Sequence, residues 1–219
     1  MSEDSRREGV GGLLLTGGSS RRMGFDKARM LVDGIASAVR VARALDSVCG
    51  RVLEVGPGVS GVSAVIESPH GEGPLAALVC GARALQAEGR LGQVVVVACD
   101  LPFLRPAGLR EIARWPVEGS VVPVVDGKPQ PLCARWSGSD LALAASLLAS
   151  GERSLRALVE ATRPTFVDVK KEAKALTVDQ LEDLDTLVDA ARHGVDLRPG
   201  ADAPVGLSGH GVASVRSGE

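Results

Sequence analysis

The sequence is poor in aromatic residues, and this shortage limits what the protein can bind. Only 2% of the 219 residues are aromatic, and Tyr is absent. Proteins that bind single-stranded nucleic acid stack the bases on aromatic side chains, so such a platform is nearly excluded. The 25 Lys and Arg residues are balanced by 27 Asp and Glu residues, for a net charge of −2. Because general nucleic-acid binders need a basic surface, no nucleic-acid partner is expected.

Long apolar runs and cysteine motifs are missing as well. The most apolar run extends only from Val94 to Cys99, whereas a membrane-spanning helix needs about 20 residues. No signal-type apolar stretch follows the charged N-terminus, so a cytoplasmic location without membrane attachment is expected. No C-x-x-C pair occurs, which disfavours a zinc site and a disulfide framework. The four cysteines are therefore expected to be small buried residues: Cys49, Cys80, Cys99 and Cys133.

Apolar runs alternate with amphipathic segments through most of the chain. Strands are predicted over residues 11–15, 51–55, 63–67, 94–99, 120–125, 131–136 and 165–169. Helices are predicted over residues 37–49, 74–89, 106–115, 139–148, 155–162 and 187–193. This alternation predicts an α/β fold with a doubly wound, mostly parallel sheet, helices on both faces and one or two antiparallel additions.

Composition divides the chain into one domain and two tails. Residues 1–9 are mostly polar and are predicted to form a mobile N-terminal tail. Residues 10–193 are predicted to form one domain, since the length is ordinary for one α/β domain and short for two. From residue 194 onward Gly, Ser, Pro and Ala dominate. Residues 194–219 are therefore predicted to be a disordered tail.

A glycine-rich segment follows the first predicted strand, and residues 15–27 read LTGGSSRRMGFDK. Paired glycines let the backbone approach a ligand and turn its N–H groups toward phosphate oxygens. Arg21, Arg22 and Lys27 add cations, as expected for a triphosphate site. The segment is neither the dinucleotide fingerprint G-x-G-x-x-G nor a P-loop. The alternative interpretation is a plain strand-to-helix turn that carries surface cations.

Asp100 follows the most apolar predicted strand, within the segment ACDLPF at residues 98–103. Ligands of open α/β sheets bind at the carboxyl ends of the strands. A carboxylate there offers a hard oxygen ligand for Mg²⁺ that bridges nucleotide phosphates. The alternative is an Asp that caps the following turn. Residues 71–78, GEGPLAAL, place a Gly-Pro turn at a helix start, which either shapes a base pocket or simply begins the helix.

The glycine-rich segment resembles the signature loop of the molybdenum cofactor guanylyltransferases, within the wider nucleotidyltransferase superfamily. The resemblance extends in order through Gly73-Pro74-Leu75-Ala76, Ala98 to Phe103, Pro131 to Trp136 and Asp185-Thr186-x-x-Asp189. These motifs cover about residues 11–193. The sequence Cys-Asp-Leu-Pro-Phe favours guanylyl transfer over the related cytidylyltransferases, which usually have Asp-Gln-Pro there.

The resemblance implies a Rossmann-like nucleotidyltransferase fold and a reaction. That reaction is transfer of GMP from Mg·GTP to the terminal phosphate of molybdopterin or Mo-molybdopterin, with release of pyrophosphate. The resemblance assigns catalytic roles to Arg22, Lys27 and Asp100, and makes Asp100 the Mg²⁺ ligand. The implied nucleotide contacts are Leu15, Thr16, Gly17, Gly18, Lys27, Glu67, Ser68, Gly73 and Asp100. Molybdoenzyme chaperones or other cofactor-assembly proteins are implied as partners in the same way.

Three departures from the family's pattern leave assignments open. Thr16 stands where the family usually has Ala, and its hydroxyl is expected near the phosphates. The family's acidic nucleotide contact falls at Glu67 or Ser68. Asp183 and Asp185 stand where Asn is common, and they indicate either a second metal ligand, a different acceptor or merely an acidic loop end.

Two other functions stay open at this point. One is a related nucleotidyltransferase that uses CTP or another phosphorylated acceptor. The other is a nucleotide-binding module without turnover. Lys27 and Asp100 disfavour the module, because nucleotide binding alone does not require a metal ligand.

Overall fold

A mixed β-sheet forms the centre of the computed structural model, which describes residues 9–17, 26–69, 71–89 and 92–182. The strands are β1 (Val10–Leu15), β2 (Leu31–Val32), β3 (Ile35–Ala36), β4 (Arg51–Val55), β5 (Ala64–Val65), β6 (Gln93–Ala98), β7 (Val121–Val125), β8 (Lys128–Pro129), β9 (Cys133–Ser137) and β10 (Thr165–Asp168). The α-helices are α1 (Ser37–Asp46), α2 (Pro74–Ala87), α3 (Pro106–Ala113), α4 (Gly138–Ala149) and α5 (Leu155–Thr162). Short 3-10 helices cover Lys27–Arg29 and Val178–Leu181.

The strand order of the large sheet is β10-β7-β9-β6-β1-β4-β5, with β8 paired to β7. Strand β1 runs parallel to both of its neighbours, and Leu15 pairs with Val55 of β4 and with Ala98 of β6. Strand β9 is antiparallel to β6 and β7. The prediction of a doubly wound, mostly parallel sheet with antiparallel additions is confirmed.

The apolar strands are buried on both faces because helices cover each side. All four residues from Val94 to Val97 are 0% exposed, as a continuous β-branched run predicts. Helices α1 and α3 pack on one face, and α2, α4 and α5 pack on the other. A Cβ on Gly81 of α2 would lie 2.7 Å from side-chain atoms of Leu13 and Val55. The glycine therefore allows α2 to pack unusually close to β1 and β4.

Most predicted elements are confirmed to within a few residues, and the differences have local causes. The strand predicted over residues 63–67 is reduced to β5, which pairs only with the end of β4. The hairpin of β2 and β3 was not predicted, because two-residue strands are too short to show a periodic pattern. The helix predicted over 187–193, the tail 194–219 and residues 1–8 lie outside the described residues.

Three of the four cysteines are core residues, as predicted. Cys49, Cys99 and Cys133 are buried, and burial raises the pKa of Cys133 to about 12. The prediction is wrong for Cys80, which is only half-buried because it borders a cavity. All four thiols are free.

Within the described ranges, no helix has both the length and the apolar character that a membrane crossing requires.

A buried arginine fixes the connection between α3 and β7. Arg135 on β9 is 2% exposed. Its Nη1 donates hydrogen bonds to the carbonyl oxygens of Ala113 and Trp115, each at 3.0 Å. Its Nη2 donates to the carbonyls of Val117 at 2.6 Å and Gly119 at 2.9 Å. One side chain thus satisfies four backbone acceptors that would otherwise need other partners.

We expect Arg135→Met to destabilise the fold strongly. Methionine fills much of the space but leaves the four carbonyls without donors, which should lower the free energy of unfolding by roughly 2–4 kcal/mol. Urea denaturation would measure the change. Arg156→Met is the control, since Arg156 is exposed and forms a surface ion pair with Glu160 one turn away; its effect should be small. Equal effects of the two substitutions would contradict this role of Arg135.

Candidate active site

Two charged side chains from separate elements meet at the carboxyl edge of the sheet. Asp100 follows β6, and Lys27 begins the first 3-10 helix. Lys27 Nζ lies 3.6 Å from Asp100 Oδ2, with side-chain exposures of 17% and 24%. Both groups are partly shielded yet reachable, so they can interact with a ligand that binds at this edge.

The backbone immediately before Asp100 is held from two sides. The Cys99 amide donates to the carbonyl oxygen of Leu15 at 3.1 Å. The hydroxyl of Ser37, a fully buried residue at the start of α1, donates to the Cys99 carbonyl. The Ser37 amide in turn donates to the Met30 carbonyl at 2.8 Å. The backbone that carries Asp100 is therefore held in place by these hydrogen bonds.

Lys27 is anchored through its neighbours. Asp26 caps the 3-10 helix, because its Oδ1 accepts from the Ala28 amide at 3.0 Å. Ala28 and Met30 are 0% and 1% exposed and lie in the core. The Met30 amide closes the turn by donating to the Lys27 carbonyl at 3.2 Å. This short element presents the lysine at the edge while Ala28 and Met30 remain buried.

The turn after β1 is bound to β4. The amides of Thr16 and Gly17 both donate to the Val55 carbonyl, at 3.1 and 3.2 Å. The Thr16 hydroxyl donates to Glu54 Oε1 at 2.6 Å. The turn therefore passes directly over the end of β4, and the predicted nucleotide contacts of Thr16 and Gly17 stay predictions. Leu15 is a core residue, 6% exposed.

A cavity of about 340 Å³ lies beside this turn, within the size range of small-ligand sites. Its lining residues are Gly17, Val55, Gly56, Pro57, Ile66, Glu67 and Ala77. Glu67 Oε1 accepts from the Gly71 amide at 2.9 Å. Glu67 Oε2 is buried and has no hydrogen-bond partner among the residues described. A buried acceptor without a donor is costly, so Glu67 Oε2 has unused hydrogen-bonding capacity beside this cavity.

The other predicted nucleotide contacts are placed less directly, and their roles stay predictions. Ser68 borders an adjoining cavity of about 240 Å³, which it shares with Glu67. Gly73, in the turn before α2, lines neither cavity; its φ is +96°, and a Cβ there would lie 3.0 Å from the Arg153 carbonyl oxygen. The positive φ and this close approach together explain why the position is occupied by glycine. Five residues singled out in the sequence lie outside the described ranges: Gly18, Arg21, Arg22, Asp183 and Asp185.

The donor set at this edge fits Mg²⁺ held partly by substrate. No group of three or more His, Cys, Asp or Glu suited to a metal occurs in the ranges described. Mg²⁺ keeps several waters and is commonly bound by one or two carboxylates together with substrate phosphates. One partly exposed carboxylate, that of Asp100, matches this mode.

Sequence reasoning missed Glu54, the acceptor of the Thr16 hydroxyl. Strand β4 reads RVLEV, and Glu54 is 0% exposed in its interior. Carboxylates are almost never fully buried unless they are paired. A glutamate between apolar residues of a predicted buried strand is thus the signal that could have found it.

Known proteins are similar to this chain in both sequence and architecture. Residues 12–166 match the family described as the MobA-like NTP transferase domain. A probable molybdenum cofactor guanylyltransferase of Chloroflexus aggregans is 33% identical over 165 residues, 69% of this chain and 77% of that protein. The molybdenum cofactor guanylyltransferase of Burkholderia orbicola is 29% identical over 199 residues, 81% of this chain and 95% of that protein.

Among solved structures, molybdopterin-guanine dinucleotide biosynthesis protein A from Archaeoglobus fulgidus has a TM-score of 0.68 at 19% identity. The match covers 84% of this chain and 96% of that one, and it supports the fold. The family match spans most of the described sheet, including the turn after β1 and Asp100 after β6. The chain therefore belongs to the MobA-like NTP transferase family.

Proposed function

We propose that this chain transfers GMP from GTP to the terminal phosphate of molybdopterin or Mo-molybdopterin, forming the guanine dinucleotide cofactor and pyrophosphate. The observation that carries the proposal is the meeting of Lys27 and Asp100, 3.6 Å apart, at the edge where β1 and β6 end. A cation and a carboxylate placed together suit the two charges of a Mg·nucleotide. The names of the two curated relatives support the acceptor.

The proposed chemistry needs positioning and charge neutralisation more than a protein base. The acceptor phosphate is already an anion, so one of its oxygens can attack the α-phosphorus directly. A new P–O bond forms while the bond to the β-phosphate breaks, and pyrophosphate leaves with the electron pair. Lys27 neutralises negative charge on the phosphates. Asp100 is the residue that would hold Mg²⁺, whose contribution is Lewis-acid stabilisation of phosphate charge.

Glu67 supports GTP over other nucleotides. Guanine carries two adjacent donors on its Watson–Crick edge, the N1–H and the N2 amino group, whereas cytosine has a single amino donor there. Among the described residues, Glu67 Oε2 has no donor, and Oε1 retains a second lone pair beside the one used by Gly71. A carboxylate in this state can accept both guanine donors.

The location of the protein in the cytoplasm stays a prediction.

The nucleotide is tested by measuring pyrophosphate release with GTP, CTP, ATP or UTP, in the presence of Mg²⁺ and Mo-molybdopterin. We expect the wild-type protein to use GTP. Glu67→Gln should lower kcat/KM for GTP by roughly tenfold to 100-fold, because a Gln amide opposes one guanine donor.

Glu72→Gln is the matched control, since Glu72 lies nearby but pairs with Arg153 at 2.7 Å. The kcat/KM of the Glu72→Gln variant for GTP should equal that of the wild-type protein. Pyrophosphate release with CTP alone would overturn guanylyl transfer and favour the cytidylyl alternative. Equal losses in Glu67→Gln and Glu72→Gln would remove Glu67 from base recognition.

Lys27→Ala should severely weaken catalysis while the fold remains intact. The loss of a well-placed cation is expected to cost about 2–4 kcal/mol of transition-state stabilisation, or roughly 30-fold to 1000-fold in kcat/KM. Steady-state kinetics would measure the loss, and circular dichroism would check the fold. Lys171→Ala, at an exposed lysine paired with Asp168, should keep full activity. Wild-type turnover by Lys27→Ala at saturating GTP would exclude Lys27 from the site.

Asp100→Asn should abolish Mg²⁺-dependent transfer, because Asn offers a neutral oxygen where Mg²⁺ prefers a charged one. The substitution preserves size, so loss of stability does not account for lost activity. Calorimetric titration with GTP, with and without Mg²⁺, would make the test specific. Mg²⁺ should strengthen GTP binding to the wild-type protein far more than to the variant. An undiminished Mg²⁺ effect in the variant would show that Asp100 only caps the turn.

A further inference from the structure

Glu54 is a buried carboxylate whose hydrogen-bond partners among the described residues are all neutral. It lies on β4, where it pairs with Leu14 of β1 and Ala64 of β5, and it is 0% exposed. Burying a carboxylate is costly unless hydrogen bonds replace the lost water. In Glu54 this compensation is complete, since five donors converge on its two oxygens.

The five donors come from two different segments. Oε1 accepts from the Thr16 hydroxyl at 2.6 Å and from the amides of Gly58 and Val59 at 2.8 and 3.0 Å. Oε2 accepts from the Ser60 amide at 2.8 Å and from its hydroxyl at 2.5 Å. The carboxylate thus connects the turn after β1 to the loop after β4.

Both connected segments form walls of the cavity that also holds Glu67. The turn contributes Gly17, and the loop contributes Gly56 and Pro57. The two segments are in direct contact, because a Cβ on Gly56 would lie 2.0 Å from Thr16 Oγ1 and 3.0 Å from the Gly17 amide nitrogen. Glu54 does not line the cavity; it lies beneath these two walls.

We infer that Glu54 is a positioning residue for nucleotide binding, acting through Thr16 on one side and Ser60 on the other. It holds the turn and the loop in their binding arrangement before the nucleotide arrives. Preorganisation of this kind improves affinity because the ligand need not order the walls itself. The use of GTP as the ligand rests on the proposed function.

A positioning role differs measurably from a merely structural one. The walls of the cavity affect nucleotide binding. Lys27 and Asp100, which carry the charges proposed to act in catalysis, lie apart from these walls at the end of β6. Loosening the walls should therefore raise Kd and KM for GTP and leave kcat nearly unchanged. A merely structural role would change the unfolding midpoint alone.

The test uses Thr16→Val and Ser60→Ala, which remove one donor each from opposite sides of Glu54. Calorimetry with GTP and steady-state kinetics should show Kd and KM raised on the order of fivefold to tenfold, with kcat within about twofold. Ser60 is not among the residues that line the cavity, so a direct contact with the nucleotide does not explain an effect of Ser60→Ala. Hydrogen exchange at the amides of residues 58–60 should accelerate in both variants.

Two further variants complete the design. Thr16→Ser keeps the hydroxyl and should bind GTP like the wild-type protein. Thr162→Val removes a hydroxyl bonded to the Leu158 carbonyl at 2.8 Å on α5; stability should fall while GTP affinity is retained. Unchanged Kd in Thr16→Val and Ser60→Ala, with only a lower unfolding midpoint, would overturn the inference. If the wild-type protein binds another nucleotide instead, the proposed function fails, and the same comparison is made with that nucleotide.

Discussion

The parallel pairing of β1 with β4 and β6 is the constraint on which the site depends. Leu15, the last residue of β1, is level with Val55 at the end of β4 and Ala98 at the end of β6. The three strands therefore end at the same level of the sheet, and the segments that follow them are neighbours. A register shift of β6 by one residue would turn its side chains to the opposite faces and move Asp100 away from Lys27.

This geometry divides the site into two parts with different physical tasks. Beside β6, Lys27 and Asp100 supply charges of opposite sign in a partly exposed position. Beside β4, the described lining of the cavity is largely apolar and includes the carboxylate of Glu67. The first part suits phosphates and a cation, which need charge and access to water. The second suits a nucleobase, which needs a flat apolar space and a few directional hydrogen bonds.

The sequence was sufficient to predict the sheet, and to predict that residues after β1 and β6 would meet. Those predictions depend on apolar runs such as Val94 to Val97 and on the general rule for strand ends. It was not sufficient to predict that the Thr16 hydroxyl donates to Glu54. That contact joins residues 38 positions apart, and no local pattern encodes it. The half-buried state of Cys80 likewise depends on a cavity formed by distant segments.

Two buried charges, Glu54 and Arg135, stabilise irregular segments by the same principle. Turns and loops carry amides and carbonyls that lack partners in the sheet, and each must be satisfied if it is buried. Glu54 accepts from three successive amides of the loop after β4, and Arg135 donates to four carbonyls between α3 and β7. An anion collects donors and a cation collects acceptors, so neither ion needs a partner of opposite charge. Of these two residues, Glu54 is the one whose partners belong to segments that also line the cavity.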